Sequence, residues 1–306
     1  MSTFALNKPK IKKLKKKNTP TQVVCHLLLI AGGFITLYPL IFIVMASFFS
    51  PEEFNTSVIS FFPIAKNPTL DNFKAIFTAS IDKYTLIYLR NSLIRTIAST
   101  FFNVITTLLA GYVFARLRFK GKKVLFSILL ATQMMPSIVG TLPMYVELVR
   151  FPFTNGQGIY NTFWVYFILD GPMINIMGTF LVKQAIESIP QETIDSAKLD
   201  GAGTFRIIFK IVFPAIKTIL AYIAITTAIG KWNDWSVPFF YTDSDSLQTI
   251  ASALTKLTAF AGQEGSMINY PAILSFSLLL TIPSLIIFII FQKWIVEGIA
   301  NAGIKG

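Results

Sequence analysis

Apolar and polar positions in this chain alternate on the scale of whole helices. Six long apolar runs stand out, roughly 22–49, 91–115, 123–145, 160–186, 216–238 and 271–292. Each is near or above the ~20 residues needed to cross a bilayer. A segment in hydrocarbon must satisfy its own backbone hydrogen bonds, so each run is predicted to be a helix. The pattern therefore predicts an all-α membrane protein: a polar tail over residues 1–20, then one six-span transmembrane domain over 21–306, interrupted by a polar loop at about 187–214.

The polar stretches between the runs set the orientation. The tail carries Lys8, Lys10, Lys12, Lys13, Lys15, Lys16 and Lys17. The second short loop holds Arg116, Arg118, Lys120, Lys122 and Lys123 with no acid, and the 187–214 loop and the C-terminal end are also basic. The other three loops are balanced or acidic, with Glu52, Glu53, Asp71, Asp82, Glu147, Asp243, Asp245 and Glu264. Positive charge stays inside, so both termini and the two basic loops are predicted to face the cytoplasm. The run from Thr21 to Phe49 is too long for a cleaved leader and ends in the bulky Phe48-Phe49. Of the outward loops, residues 50–90 contain a stretch from Asn72 to Phe77 suited to a short surface helix, and 236–270 is long and polar; both read equally as a docking surface and as solvated connectors.

The polar island Ile189-Pro190-Gln191-Glu192-Thr193-Ile194-Asp195-Ser196-Ala197-Lys198-Leu199-Asp200-Gly201-Ala202 reads as a short helix with its own start and stop. Pro190 and Glu192 suit a first turn, where a missing N–H costs nothing and an acid meets the positive end of the dipole. Gly201 suits the left-handed residue that ends a helix. Ser196 and Ala197 leave one face with little bulk, so another protein can approach its backbone. Beyond it, Phe205, Ile208, Phe209 and Val212 recur at the spacing of a buried helical face, with Arg206 and Lys210 on another side. Residues 204–213 are therefore expected to form an amphipathic helix against the inner membrane face.

Composition narrows the chemistry. The chain is 53% hydrophobic and 14% charged, with 29 Phe, well below the ~25% charged residues of soluble domains. One cysteine, Cys25, and one histidine, His26, exclude a disulfide within the chain and argue against a structural zinc site. No phosphate-binding loop of the Gly-x-x-x-x-Gly-Lys-Ser/Thr type occurs, and the apolar runs hold no paired carboxylates or nucleophile–base–acid set. The Lys-rich tail followed at once by an apolar run reads as a membrane anchor, with no nucleic-acid partner.

Polar residues inside the apolar runs are the remaining candidates. Asp170 lies about ten residues into the fourth run, ~15 Å along a helix and near the midplane, with Gly171-Pro172 directly after it. Such an acid either lines a cavity or is paired with a neighbouring helix; the loosening Gly-Pro favours the cavity. Gln133, beside Met134-Met135-Pro136, is a second candidate for a path. Gly171, Asn175 and Thr179 share a helical face and read as a packing seam. Lys231-Trp232-Asn233-Asp234-Trp235 closes the fifth run; its tryptophans fit an interfacial belt and also fit stacking on a pyranose ring, with amides for its hydroxyls.

The polar island resembles the cytoplasmic signature of the membrane subunits of ABC importers, which reads roughly Glu-Ala-Ala, three residues, Gly, then nine or so residues and an apolar-Pro pair. Asp195-Ser196-Ala197 stands at Glu-Ala-Ala, Asp200-Gly201-Ala202 follows, and Ile211-Val212-Phe213-Pro214 closes the motif. The departures, Asp for Glu and Ser for Ala, keep charge and size. The Trp-Asn pair, Met135-Pro136 with Pro143-Met144-Tyr145, and the ending from Phe291-Gln292-Lys293 to Gly303-Ile304-Lys305-Gly306 are similar to the maltose and multiple-sugar branch. The resemblance implies a permease for sugars or oligosaccharides in a bacterial inner or plasma membrane. It implies a second homologous permease, two ATPase subunits and an extracellular or periplasmic sugar-binding protein as partners. This chain would hold no cofactor, ATP and Mg being bound by the ATPases. Glu192, Asp195, Ser196, Ala197, Lys198, Asp200, Gly201 and Ala202 would couple to the ATPase, while Asp170, Gln133, Trp232 and Asn233 would line the path.

Two rivals make different demands on the same residues. An ion-coupled secondary transporter needs coupling carboxylates and, usually, inverted repeats, whereas Asp170 is the one candidate acid and no repeat is visible. A structural or assembly protein needs no docking helix.

Overall fold

A computed structural model describes residues 20–56, 60–77, 84–152, 154, 158–170, 175–259 and 268–303. The Lys-rich tail, Gly171-Pro172, Asp82, Glu264 and the last three residues lie outside them. Every regular element described is helical. In chain order they are α1 (Pro20–Ala46), α2 (Pro51–Thr56), α3 (Asp71–Phe77), α4 (Thr85–Arg116), α5 (Lys122–Thr132), a 3-10 turn (Ser137–Gly140), α6 (Thr141–Val149), α7 (Trp164–Asp170), α8 (Ile176–Glu187), α9 (Gln191–Leu199) and α10 (Thr204–Ile207). A π-turn (Ile208–Val212) then leads into α11 (Phe213–Ala215), α12 (Lys217–Asn233), α13 (Ser236–Tyr241), a 3-10 turn (Asp245–Leu247), α14 (Ile250–Ala259) and α15 (Tyr270–Gly303).

Three of the expected spans are continuous helices long and apolar enough to cross a membrane: Pro20–Ala46, Thr85–Arg116 and Tyr270–Trp294. The others are broken. The third run splits at Met134–Pro136 into α5 and α6, because Pro136 cannot donate to the ladder. The fourth splits after Asp170, and α8 restarts with Asn175 as its N-cap, Asn175 Oδ1 accepting from Gly178 N at 2.8 Å. Asn175 is thus a cap with an extended ψ of 99°, which ends the helical face expected to join it to Gly171. The fifth run ends at Asn233, and the segment entering it, Thr204–Ala215, meets Lys217–Asn233 at 83°.

That entry segment departs from the single amphipathic helix expected. Its π-turn is wider than an α-turn and shifts the register of the side chains. Ile207, Ile208 and Val212 are buried within the protein, while Phe205 and Phe209 stand on its surface, so the four expected apolar positions do not share one protein-facing side.

The main core gathers α4, α8, α9, the π-turn and α12 around Leu108, Val182, Ile186, Ile194, Val212 and Ile223. Helices α4 and α8 approach closely at Gly111. A Cβ there would overlap the Val182 side chain and lie 3.3 Å from the Lys183 backbone nitrogen. Gly111→Ala is therefore expected to destabilise the protein by about 1–3 kcal/mol, read as a lower thermal midpoint in detergent. At the other end of the bundle, α3 forms where the sequence suggests a surface helix. Asn72 Nδ2 ties it to the chain after α1, donating to Ser47 O at 2.9 Å and Phe49 O at 2.7 Å.

Candidate functional site

The first site is α9. Pro190 is its N-cap, one residue earlier than the first-turn place expected, and Glu192 sits in the first turn. Its end is a Schellman motif: Gly201 has φ 78°, Ala202 N donates to Ala197 O at 2.9 Å, and Gly201 N donates to Lys198 O at 3.0 Å. Ile194 turns inward and is fully buried in the main core, which fixes the helix on α4, α8 and α12. Glu192, Asp195, Ser196, Lys198, Leu199, Asp200 and Gly201 stand exposed, and Ala197 and Ala202 are half-buried. Gln191 Nε2 donates to Asp195 Oδ1 at 2.9 Å and Lys198 Nζ approaches the same oxygen at 3.3 Å. Together with Arg116 nearby, these donors hold the Asp195 carboxyl below the usual carboxylate range. Leu199, which sequence reasoning passed over, is 89% exposed at the tip of this polar helix.

The second site is a buried ionic knot with a cleft beside it. Arg95 in α4 forks onto Asp170, Nε donating to Oδ2 at 2.5 Å and Nη2 to Oδ1 at 3.3 Å. The same guanidinium reaches Asp234 through Nη2 to Oδ2 at 2.5 Å and Nη1 to the backbone oxygen at 3.1 Å. Lys231 Nζ donates to Asp170 Oδ1 at 2.6 Å. The ring of Tyr166 covers the Arg95 guanidinium carbon at 5.0 Å, and the side chains of Arg95 and Asp170 are 0% and 1% exposed. Two cations and two carboxylates balance. Asp234, one residue before the N-cap of α13, also serves its first turn, Oδ1 accepting from Ser236 N at 2.9 Å and Ser236 Oγ at 2.6 Å. The knot therefore joins α4 to the breaks that follow α7 and α12.

The depth expected for Asp170 is revised by its partner. Arg95 lies 21 residues before Arg116 on the continuous helix α4, ~30 Å along its axis, about a full hydrocarbon thickness from the basic end. Asp170 thus lies at the end of the bundle remote from Arg116, and it is sealed behind its partners. Asn103, Asn175, Thr227, Asn233, Asp234 and Trp235 are among the residues lining an open cleft of about 530 Å³ between α4, α8 and α12. Asn103 Oδ1 accepts from Asn175 Nδ2 at 3.3 Å and Thr227 Oγ1 at 3.2 Å, making a polar shelf across three helices.

A family description, binding-protein-dependent transport system inner membrane component, matches residues 107–301, well over half of the chain. The chain belongs to this family. It is a multi-pass permease subunit of the bacterial inner membrane, a transport component and not an enzyme. Over 282 residues it is 30% identical to the galactooligosaccharides transport system permease protein GanQ of Bacillus subtilis, covering 92% of this chain and 94% of that one. It is 27% identical over 296 residues to the arabinooligosaccharides transport system permease protein AraQ of Halalkalibacterium halodurans, covering 96% and 100%. In fold it is similar to the crystal structure of a bacterial ABC transporter that imports the acidic polysaccharide alginate, with a TM-score of 0.73 at 19% identity over 89% of this chain and 95% of that one.

Among the residues expected to line this permease's path, Asn233 lies on the cleft, its Nδ2 donating to Ser284 Oγ at 2.9 Å. Trp232 does not: it is 6% exposed and its Nε1 donates to Leu280 O at 2.8 Å, so it packs α12 on α15. Trp235, two residues beyond the end of α12, takes the cleft position instead. Gln133 is exposed at the C-cap of α5, and Asp170 stands behind Lys231 and Asp234. Sequence reasoning missed Arg95. The signal was available: an acid in an apolar run requires a cation at its own depth, and Arg95 lies in the second run.

Proposed function

We propose that this permease is half of the membrane pathway of an ATP-driven importer of oligosaccharides, paired with a second homologous permease. Two ATPase subunits power it, and a sugar-binding protein outside the membrane delivers cargo. The observation that carries the reading is α9: a capped helix rooted by Ile194, presenting Asp195, Ser196, Lys198 and bare Leu199 at the basic side of the protein. In this reading α9 docks on one ATPase, and Glu192, Ala197, Asp200, Gly201 and Ala202 hold or complete its surface. ATP and Mg belong to the ATPase, and this chain carries no cofactor. The tail at 1–20 anchors a six-span domain over 21–306, the broken pairs α5/α6, α7/α8 and α12/α13 each counting within one crossing, and both termini are cytoplasmic.

The cargo class is supported by the relatives GanQ and AraQ, both named for oligosaccharides, and by the cleft. There Trp235 offers an aromatic face, and Asn103, Asn175, Thr227 and Asn233 offer amides and a hydroxyl suited to sugar hydroxyls. The path runs along this cleft, with Asp170 setting its wall from behind.

Reconstitution tests the whole reading. Vesicles holding this chain, its partner permease and the ATPases are expected to take up oligosaccharide only when loaded binding protein and ATP are both supplied. The purified chain alone is expected to hydrolyse no ATP. ATP hydrolysis by the single subunit, or uptake driven by an ion gradient without ATP, would overturn it.

A further inference from the structure

Helix α4 ends at Arg116, and the half-buried side chain of that residue reaches across to the start of α9. Its Nη2 donates to Ile186 O at 2.6 Å and to Ile189 O at 2.5 Å; its Nη1 donates to Gln191 Oε1 at 2.6 Å. Ile186 belongs to the last turn of α8, at the negative end of the dipole, and its oxygen also accepts from Ile189 N at 3.1 Å. Ile189 lies in the three-residue link Ser188-Ile189-Pro190, and Gln191 is the first residue of α9. One planar cation thus fastens the end of α8, the link and the start of α9 to α4. Gln191 extends the chain of bonds to Asp195 on the exposed face.

We infer that Arg116 is the positioning residue of the docking helix. It makes the N-terminal end of α9 move as one body with the α4–α8 pair. The inference rests on the docking proposed above. At its far end α9 leaves through the Schellman turn, and Ile194 beneath it is a non-directional apolar contact. Arg116 supplies the directional restraint at the near end, through three charge-assisted bonds in a fork that lysine cannot reproduce. Helix α4 is unbroken over 32 residues and carries Arg95 in the ionic knot near its other end. A displacement of α9 therefore has a stiff route to the breaks after α7 and α12 that border the cleft.

The test uses the full importer in vesicles. Arg116→Gln is expected to reach the membrane and retain the ATPases, yet to transport about tenfold less sugar per ATP hydrolysed. Arg116→Lys is expected to recover part of the loss, since an ammonium reaches the carbonyls but cannot fork to Gln191. Gln191→Ala, an exposed change that leaves the fold alone, is expected to lower the ratio less. Combining it with Arg116→Gln is expected to lower the ratio by less than the sum of the two, because the Arg116–Gln191 bond is already lost. A normal sugar-to-ATP ratio in Arg116→Gln would overturn the inference. If that variant fails to accumulate, an unchanged ratio in Gln191→Ala alone overturns it. Ser196→Cys, tested for cross-linking to the ATPase in the otherwise unaltered chain, separates the two levels. No cross-link there defeats the docking itself; a cross-link together with unchanged ratios defeats only the role of Arg116.

Discussion

Gly201→Val is expected to enter the membrane in normal amount and to abolish uptake. The cause is the backbone, because a Cβ on Gly201 would meet no heavy atom within 4 Å. At φ 78° a Cβ crowds its own peptide carbonyl, at a cost of roughly 1–2 kcal/mol, and a β-branched residue is worse placed still. The chain escapes by letting residue 201 fall back to the right-handed region. Ala202 N then loses Ala197 O, now at 2.9 Å, and α9 runs on in the wrong direction. The docking face is altered while the core around Ile194 is untouched. Gly201→Asn is the decisive control, since asparagine tolerates the left-handed region. It is expected to retain the ATPases in a pull-down and to transport. Gly203→Val is a second control, because Gly203 is extended, with φ −68°, and open around its Cβ. If valine and asparagine at 201 behave alike, the left-handed stop is not what matters there.

The stop at Gly201 was legible because it is local. A left-handed residue, its two hydrogen bonds and the small residues beside it fall within six positions, and glycine is the residue such a turn selects. The six apolar runs were legible for a similar reason: hydrocarbon imposes length and composition on any segment that crosses it. The breaks inside those runs were not. A hydropathy window averages across Asp170 or Asp234, and the groups at a break are satisfied partly by local acceptors and partly from far away in sequence. Asn175 caps α8, Asp234 accepts from the first turn of α13, and Arg95 reaches Asp234 from 139 positions earlier. The exchange of Trp232 for Trp235 has the same origin. Helix α12 ends at Asn233, so the two rings stand on different segments, and only tertiary packing decides that Trp232 faces α15. Phe205 and Phe209 stand apart from the buried Ile208 and Val212 because a π-turn breaks the 3.6-residue period on which the reading depended.

Asp170 is the residue whose reading changes most, and Arg95→Met is the variant that tests the change. Removing the guanidinium leaves Asp170 with Lys231 alone and strips Asp234 of its cation within a site where Arg95 and Asp170 side chains are almost fully enclosed. Breaking a buried pair from one side costs about 3–5 kcal/mol, because the stranded charge cannot recover its hydration. That is a large share of the ~5–15 kcal/mol that holds a typical folded chain. The expected result is loss of monodisperse protein on size-exclusion chromatography and a thermal midpoint many degrees lower. Asp170→Asn is expected to follow in the same direction with a smaller loss: its amide oxygen still accepts one bond, and Asp234 still answers Arg95. Both effects should appear before any question of substrate arises. A protein with Asp170→Asn that accumulates and melts like the parent, but takes up oligosaccharides at altered rates, would return the carboxylate to the path. It would also show that Lys231 and Asp234, not their buried partner, bear the structural role. With the knot intact, Asp170 reaches the cleft only at one remove, by fixing the Lys231 ammonium on the cleft wall at 2.6 Å and, through Arg95, the Asp234 carboxylate just before α13.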